Sequence, residues 1–168
     1  MNRILLAIAL CSSATSLPAA AQAPMPKYGV TVTAEKDVDF ATFTTYSWTQ
    51  GQPSFDKTID AQVTAAVDRE LSALGMTKAA SGPGDVLVAY YSLSRTDVNL
   101  KAKPDSSGLY PHYSVGTLVV ALLDPASRRR LLRLRVDQPI DTQPDKLQAA
   151  IDSAVAALFA KYPTRQRK

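Results

Sequence analysis

Apolar side chains recur along this chain at two periods, and the switch between them marks out its elements. From Tyr28 to Ala34, Val30 and Val32 alternate with Thr31 and Thr33, which predicts a strand with one apolar face. Asp39-Phe40 and Phe43 lead into Tyr46-Ser47-Trp48, a second short extended piece rich in β-formers, and Gly51, Pro53 and Ser54 mark a loop. The period then lengthens. Ile59, Val63, Ala66, Val67, Leu71 and Leu74 fall on one face of a helix running from about Lys57 to Leu74. Asp56 supplies its N-cap and Gly75 its left-handed stop, with Met76 packing back on the last turn and opening a short strand to Ala79.

Period two returns after the Gly82-Pro83-Gly84 turn. Val86, Val88 and Tyr90 alternate with Leu87, Ala89 and Tyr91, so the first half of an extended segment from Asp85 to about Leu100 is apolar on both faces. Its far half, with Arg95, Thr96, Asp97 and Asn99, emerges into solvent, and Lys101 to His112 reads as a polar loop. Tyr113 to Leu123 is the most apolar strand; a tight turn at Asp124-Pro125-Ala126-Ser127 joins it to Arg128–Val136 as a hairpin. Leu147, Ile151, Ala154, Val155, Leu158 and Phe159 form the stripe of a second helix, for which Thr142 and Asp145 read as a cap around Pro144. Two helices with one apolar stripe each require a common surface to bury them. The order of elements therefore predicts an α+β two-layer sandwich, a mostly antiparallel sheet with both helices packed on one face.

The N-terminus changes the picture of where this domain works. Arg3, the apolar run Ile4 to Leu10, the helix breaker Pro18 and the small residues Ala19-Ala20-Ala21 read as a secretory signal cleaved after Ala21. The mature chain is then expected to be exported and periplasmic; the alternative is an outer-membrane lipoprotein anchored through Cys11, which follows the large residue Leu10. The organisation predicted is signal 1–21, flexible leader 22–28, single domain 29–163 and basic tail 164–168. No run in the mature chain reaches the roughly 20 apolar residues of a transmembrane helix.

Charge narrows the partners. The 168 residues carry 19 Lys and Arg against 15 Asp and Glu, a formal +4. Arg3 leaves with the signal, and Arg165, Arg167 and Lys168 sit in the tail, so the body is balanced and gives no reason to expect nucleic acid. One Cys and one His exclude a disulfide framework and a Cys/His zinc site.

Several segments in order resemble a known family. Asp39-Phe40, Phe43, Thr45-Tyr46 and Trp48 match an opening D-F-x-x-Y-x-T-Y-x-W pattern. Leu74-Gly75, Gly84-Asp85-Val86-Leu87-Val88-Ala89-Tyr90, Gly116-Thr117-Leu118-Val119-Val120 before Leu123-Asp124, and Lys161-Tyr162-Pro163 follow. Together they resemble the bacterial envelope family called domain of unknown function 4136, over about Val30 to Pro163. The resemblance implies an exported or outer-membrane-anchored α+β domain, usually lipidated, with no catalytic residues to carry over. This chain departs from the family at Leu132-Arg133-Leu134, where W-x-G is common.

Three groups are candidates for binding. Arg133 and Arg135 share one strand face, opposite Leu132, Leu134 and Val136, and offer a basic ledge for an anionic polymer or lipid headgroup; the plain alternative is a solvated strand face. Trp48, with Phe40, Phe43 and Tyr46, lines a groove or anchors the core. Tyr110, His112 and Tyr113 sit in and after the 101–112 loop, suited to stacking on sugars or simply mobile. No G-x-S-x-G, Walker or dinucleotide motif is present, His112–Ser114 lacks triad geometry, and Asp37 with Asp39 is a weak metal candidate. The reading is a non-catalytic envelope domain, without cofactor, that binds an envelope polymer, lipid headgroup or envelope protein. The alternatives are a structural accessory subunit of an envelope complex or a hydrolase of envelope polymers.

Overall fold

A computed structural model of the chain describes residues 28–140 and 143–166. The expected signal, the leader up to Lys27 and Cys11 lie outside these residues.

The elements run β1 (Gly29–Ala34), β2 (Thr45–Trp48), α1 (Lys57–Ala73), β3 (Thr77–Lys78), β4 (Val86–Val98), β5 (His112–Leu123), β6 (Arg130–Pro139), α2 (Pro144–Phe159) and a closing 3-10 turn (Pro163–Gln166). The six strands form one sheet in the order β1-β6-β5-β4-β2-β3. β1–β6, β6–β5 and β5–β4 are antiparallel, whereas β2 runs parallel to both β4 and β3. This is the α+β sandwich that the alternation predicts.

The helix boundaries follow from local chemistry. Asp56 Oδ1 accepts the backbone N–H groups of Thr58 (2.8 Å) and Ile59 (3.3 Å), two donors that the first turn cannot satisfy internally. Asp56→Ala is expected to cost about 1 kcal/mol, read as a lower denaturation midpoint; an unchanged midpoint would remove the cap from the account. At the far end Gly75 adopts φ +88°, its N–H donates to Ser72 O and Met76 N–H donates to Leu71 O, the paired bonds of a Schellman stop. Met76 then buries its side chain, as the sequence suggests.

The start of α2 differs from the expected Thr142–Asp145 cap. Its N-cap is Gln143, extended at φ −68° and ψ 123° and without a side-chain cap bond; Thr142 lies outside the described residues. Pro144 explains the position, because a proline disfavours helical geometry in the residue before it and itself fits the first helical position. The hairpin also differs. Arg128 takes a left-handed φ of 59°, Arg128 N–H donates to Asp124 O, and β6 begins at Arg130 with a register shift between Leu122 and Leu123. The turn is thus longer than the four residues expected and ends in a bulge. At the C-terminus the fold runs past Pro163: Arg165 Nη1 donates to Glu70 Oε2 at 2.8 Å, so part of the predicted tail is docked on α1.

One face of the sheet carries the core. Val86, Val88 and Tyr90 of β4, Val120 and Leu122 of β5, and Leu132, Leu134 and Val136 of β6 pack with Val67 and Leu71 of α1 and Val155, Leu158 and Phe159 of α2. Phe159 stacks on Tyr162, which meets Phe40 edge-on, so the D-F and K-Y-P segments close the same end of the core.

Candidate functional site

Because strand residues alternate, the residues between these core positions point to the face that the helices leave uncovered. Register sets them in rows across the sheet. Ala89 lies beside Ala121, which lies beside Arg133 and then Thr33. Tyr91 lies beside Val119, Arg135 and Thr31; Leu93 lies beside Thr117, Asp137 and Gly29. Leu87, Ala89, Val119 and Ala121 are all buried, and small alanines fill the row next to Arg133.

The two arginines of the predicted ledge have different fates. Arg135 is tied to Asp137: Nε donates to Oδ2 at 2.6 Å and Nη2 donates to Oδ1 at 2.7 Å. Asp137 also accepts from Thr117 Oγ1 at 2.6 Å and from Arg95 Nη1 at 3.3 Å. These donors, Arg135 first, hold its carboxyl well below the usual carboxylate range against the opposing cost of burial. Arg133 is half-buried, and among the described residues neither it nor Arg130, which lies opposite Leu123 on the same face, has a carboxylate partner. Arg128 reaches Thr49 Oγ1 at 2.9 Å, and Arg129 pairs with Glu35 at 3.2 Å. The open cationic positions are therefore Arg130 and Arg133, at the hairpin end of the face.

The other end carries phenols. Arg95 Nε donates to Asp97 Oδ1 at 3.1 Å, the Tyr28 hydroxyl donates to Asp97 Oδ2 at 3.1 Å, and the Tyr28 and Tyr113 hydroxyls bond each other. The bond to Tyr113, with desolvation and Asp97 adding, raises the Tyr28 phenol above its ordinary value. Tyr28 was expected in a flexible leader; it is bonded into the sheet face. The predicted trio is split. Tyr113 joins the face, while Tyr110 is exposed in the loop and His112 is exposed as the first residue of β5, opposite Val98. That loop carries its own bonds: Asp105 Oδ1 accepts Ser107 N–H at 2.8 Å and Leu109 N–H at 3.0 Å.

Trp48 is on the covered side. Its Nε1 donates to Asp68 Oδ1 at 2.9 Å, the Tyr46 hydroxyl donates to the same oxygen at 2.8 Å, and its ring meets Tyr90 edge-on. Phe40 and Tyr46 are buried, with Phe43 and Trp48 packed against the core, so this group anchors the fold. Asp39 Oδ1 accepts Ala41 N–H at 3.2 Å in a local turn. Among the described residues no three His, Cys, Asp or Glu side chains come together. No described helix is long and apolar enough to cross a membrane.

Solved structures share this fold. A PDZ domain protein from Parabacteroides distasonis ATCC 8503 is 16% identical, with a TM-score of 0.58, over 81% of this chain and 35% of that one. This chain thus spans about a third of the length of that protein. PelC from Paraburkholderia phytofirmans, solved as a dodecamer in a point-variant form, is 10% identical with a TM-score of 0.55, over 84% of this chain and 100% of that one. At these identities the likeness is one of fold. No curated protein matches the sequence. The family model described as Domain of unknown function (DUF4136) matches residues 30–164, the span of the sheet and both helices, and the chain belongs to that family.

Proposed function

We propose that this domain is an exported, non-catalytic cell-envelope module that binds an anionic envelope component on the helix-free face of its sheet. The export reading rests on the N-terminal signal pattern. The binding reading rests on one observation: among the described residues Arg130 and Arg133 share this face with no carboxylate partner, while Asp137 and Asp97 hold Arg135 and Arg95. A guanidinium without a carboxylate partner offers a two-pronged donor to carboxylate or phosphate.

Retention on alginate, with neutral dextran as the control, tests this. The wild-type domain is expected to bind alginate in a salt-sensitive manner, and Arg130→Ala with Arg133→Ala is expected to weaken it by about tenfold or more. Equal binding of the double variant, or equal binding to dextran, would overturn the assignment of this face. In-cell crosslinking that captures one protein partner regardless of the arginine change would favour an accessory subunit instead.

A further inference from the structure

β4 and β5 are the longest of the described strands, and at one end they outrun their neighbours. β6 stops beside Val115, and β2 stops beside Val88 with Gln52 bridging as far as Tyr91. Ser114 O still accepts Ile140 N–H at 2.9 Å, but beyond it the rows of Asp97 with Tyr113 and Val98 with His112 have no third described strand beside them. Arg95 and Tyr28 brace this two-stranded arm through Asp97. Asn99 N–H donates to Pro111 O at 2.8 Å and closes the base of the loop at its end.

Exposed apolar side chains are concentrated on this tip. Val98, Leu100, Leu109 and Tyr110 make up half of the exposed large hydrophobic residues among those described, with Leu100 at 73% and Leu109 at 61%. Single apolar residues scattered over a surface need no explanation, but a concentration in one closed loop does. Charge points to what they meet. Lys101 and Lys103 alternate with Leu100 and Ala102, and neither has a carboxylate partner among the described residues. The acid of the loop, Asp105, turns Oδ1 onto the backbone N–H groups of Ser107 and Leu109. Bare aliphatic groups, a tyrosine and two lysines match the layers of an anionic bilayer: acyl chains for the leucines, the interface for the phenol and phosphates for the ammonium groups. A tip two strands wide gives a protein partner little of the about 800 Å² a side that stable interfaces bury.

We propose that the β4–β5 tip docks on an anionic phospholipid surface, with Leu100 and Leu109 entering the acyl boundary and Lys101 and Lys103 resting on the headgroups. Arg130 lies beside Leu123, at the other end of β5, so this surface stands independently of the anion-binding reading.

Co-sedimentation with sucrose-loaded vesicles tests this on the mature chain, from Gln22, which lacks the apolar N-terminal run. The chain is expected to bind vesicles of equal phosphatidylglycerol and phosphatidylcholine about tenfold more tightly than phosphatidylcholine alone. Leu100→Ser with Leu109→Ser should weaken binding to the anionic vesicles by about tenfold or more, and Lys101→Gln with Lys103→Gln by about tenfold. All four positions are exposed, so circular dichroism should be unchanged. Headgroup capture by Arg130 and Arg133 would not respond to the leucine pair, which separates the two readings. Tyr110→Trp should give a blue shift of emission on anionic vesicles as the tip enters the interface. No binding to anionic vesicles, equal binding to both compositions, full binding by either double variant, or no blue shift would overturn the proposal. In-cell crosslinking through position 109 that captures one protein rather than lipid would overturn it in favour of a protein contact.

Discussion

Gly84→Ala is expected to lower stability by about 3 kcal/mol, read from urea denaturation as a reduced midpoint at unchanged slope. Gly84 is buried, and a Cβ there would stand 2.7 Å from the N, Cα and C atoms of Tyr46. Those atoms are backbone, so no rotamer change relieves the clash. β2 has little room to retreat. Tyr46 is buried, its hydroxyl bonds Asp68, and the strand is held between β4 and β3. Gly84 N–H also donates to Ser47 Oγ at 3.2 Å, and displacement would break that bond too. A loss below about 1 kcal/mol would mean that the parallel edge of the sheet is softer than its packing indicates.

Asp137→Ala carries the second large effect, a loss of about 3 kcal/mol at neutral pH. Removing one partner of a buried ion pair costs ~3–5 kcal/mol because the other charge is left behind. The lower end applies because the Arg135 and Arg95 side chains keep 36% and 37% of their exposure, against 10% for Asp137. Thr117 also loses its acceptor. The sign with pH follows from the depressed carboxyl. A group titrating lower when folded than when unfolded stabilises fully above its unfolded pKa of about 3.9, and that stability drains as pH falls toward the folded value. The variant should therefore lose less stability than wild type as pH drops below about 4. Arg133→Ala, at a residue with no carboxylate partner among the described residues, should change stability by no more than about 0.5 kcal/mol. If Arg133→Ala and Asp137→Ala prove equally damaging, the distinction between a free and a committed arginine on this strand fails.

The parts of this molecule written in local chemistry were legible from the sequence. Asp56 and Gly75 delimit α1 because caps act over three or four residues, and the period-two runs gave β4 to β6 within a few positions. The both-sided apolarity of β4 was visible too, but not the Ala89–Ala121–Arg133 row, which exists only once the register is set. The same applies to the site. Arg135 and Asp137 are two apart in a strand, so their shared face could have been read from spacing and would have separated Arg135 from Arg133. The approach of Arg95 from β4, and of Tyr28 from the start of the domain, depends on pairings across the sheet that no local pattern encodes. Trp48 was ambiguous because an aromatic cluster looks alike whether it faces a groove or a core; Asp68, on another element, decides it.

The placement of β1 has a kinetic meaning. Among the described strands it pairs with β6 alone, from Gly29 with Asp137 to Ala34 with Leu132, so the first of them in sequence is completed by the last. Contacts this distant in sequence close late and slow the search for the native state. β4, β5 and β6 pair as successive segments, whereas β1 covers the β6 edge from the far end of the described residues. While β1 is unpaired the β6 edge lies open, which is when a sheet edge is most exposed to the wrong partner.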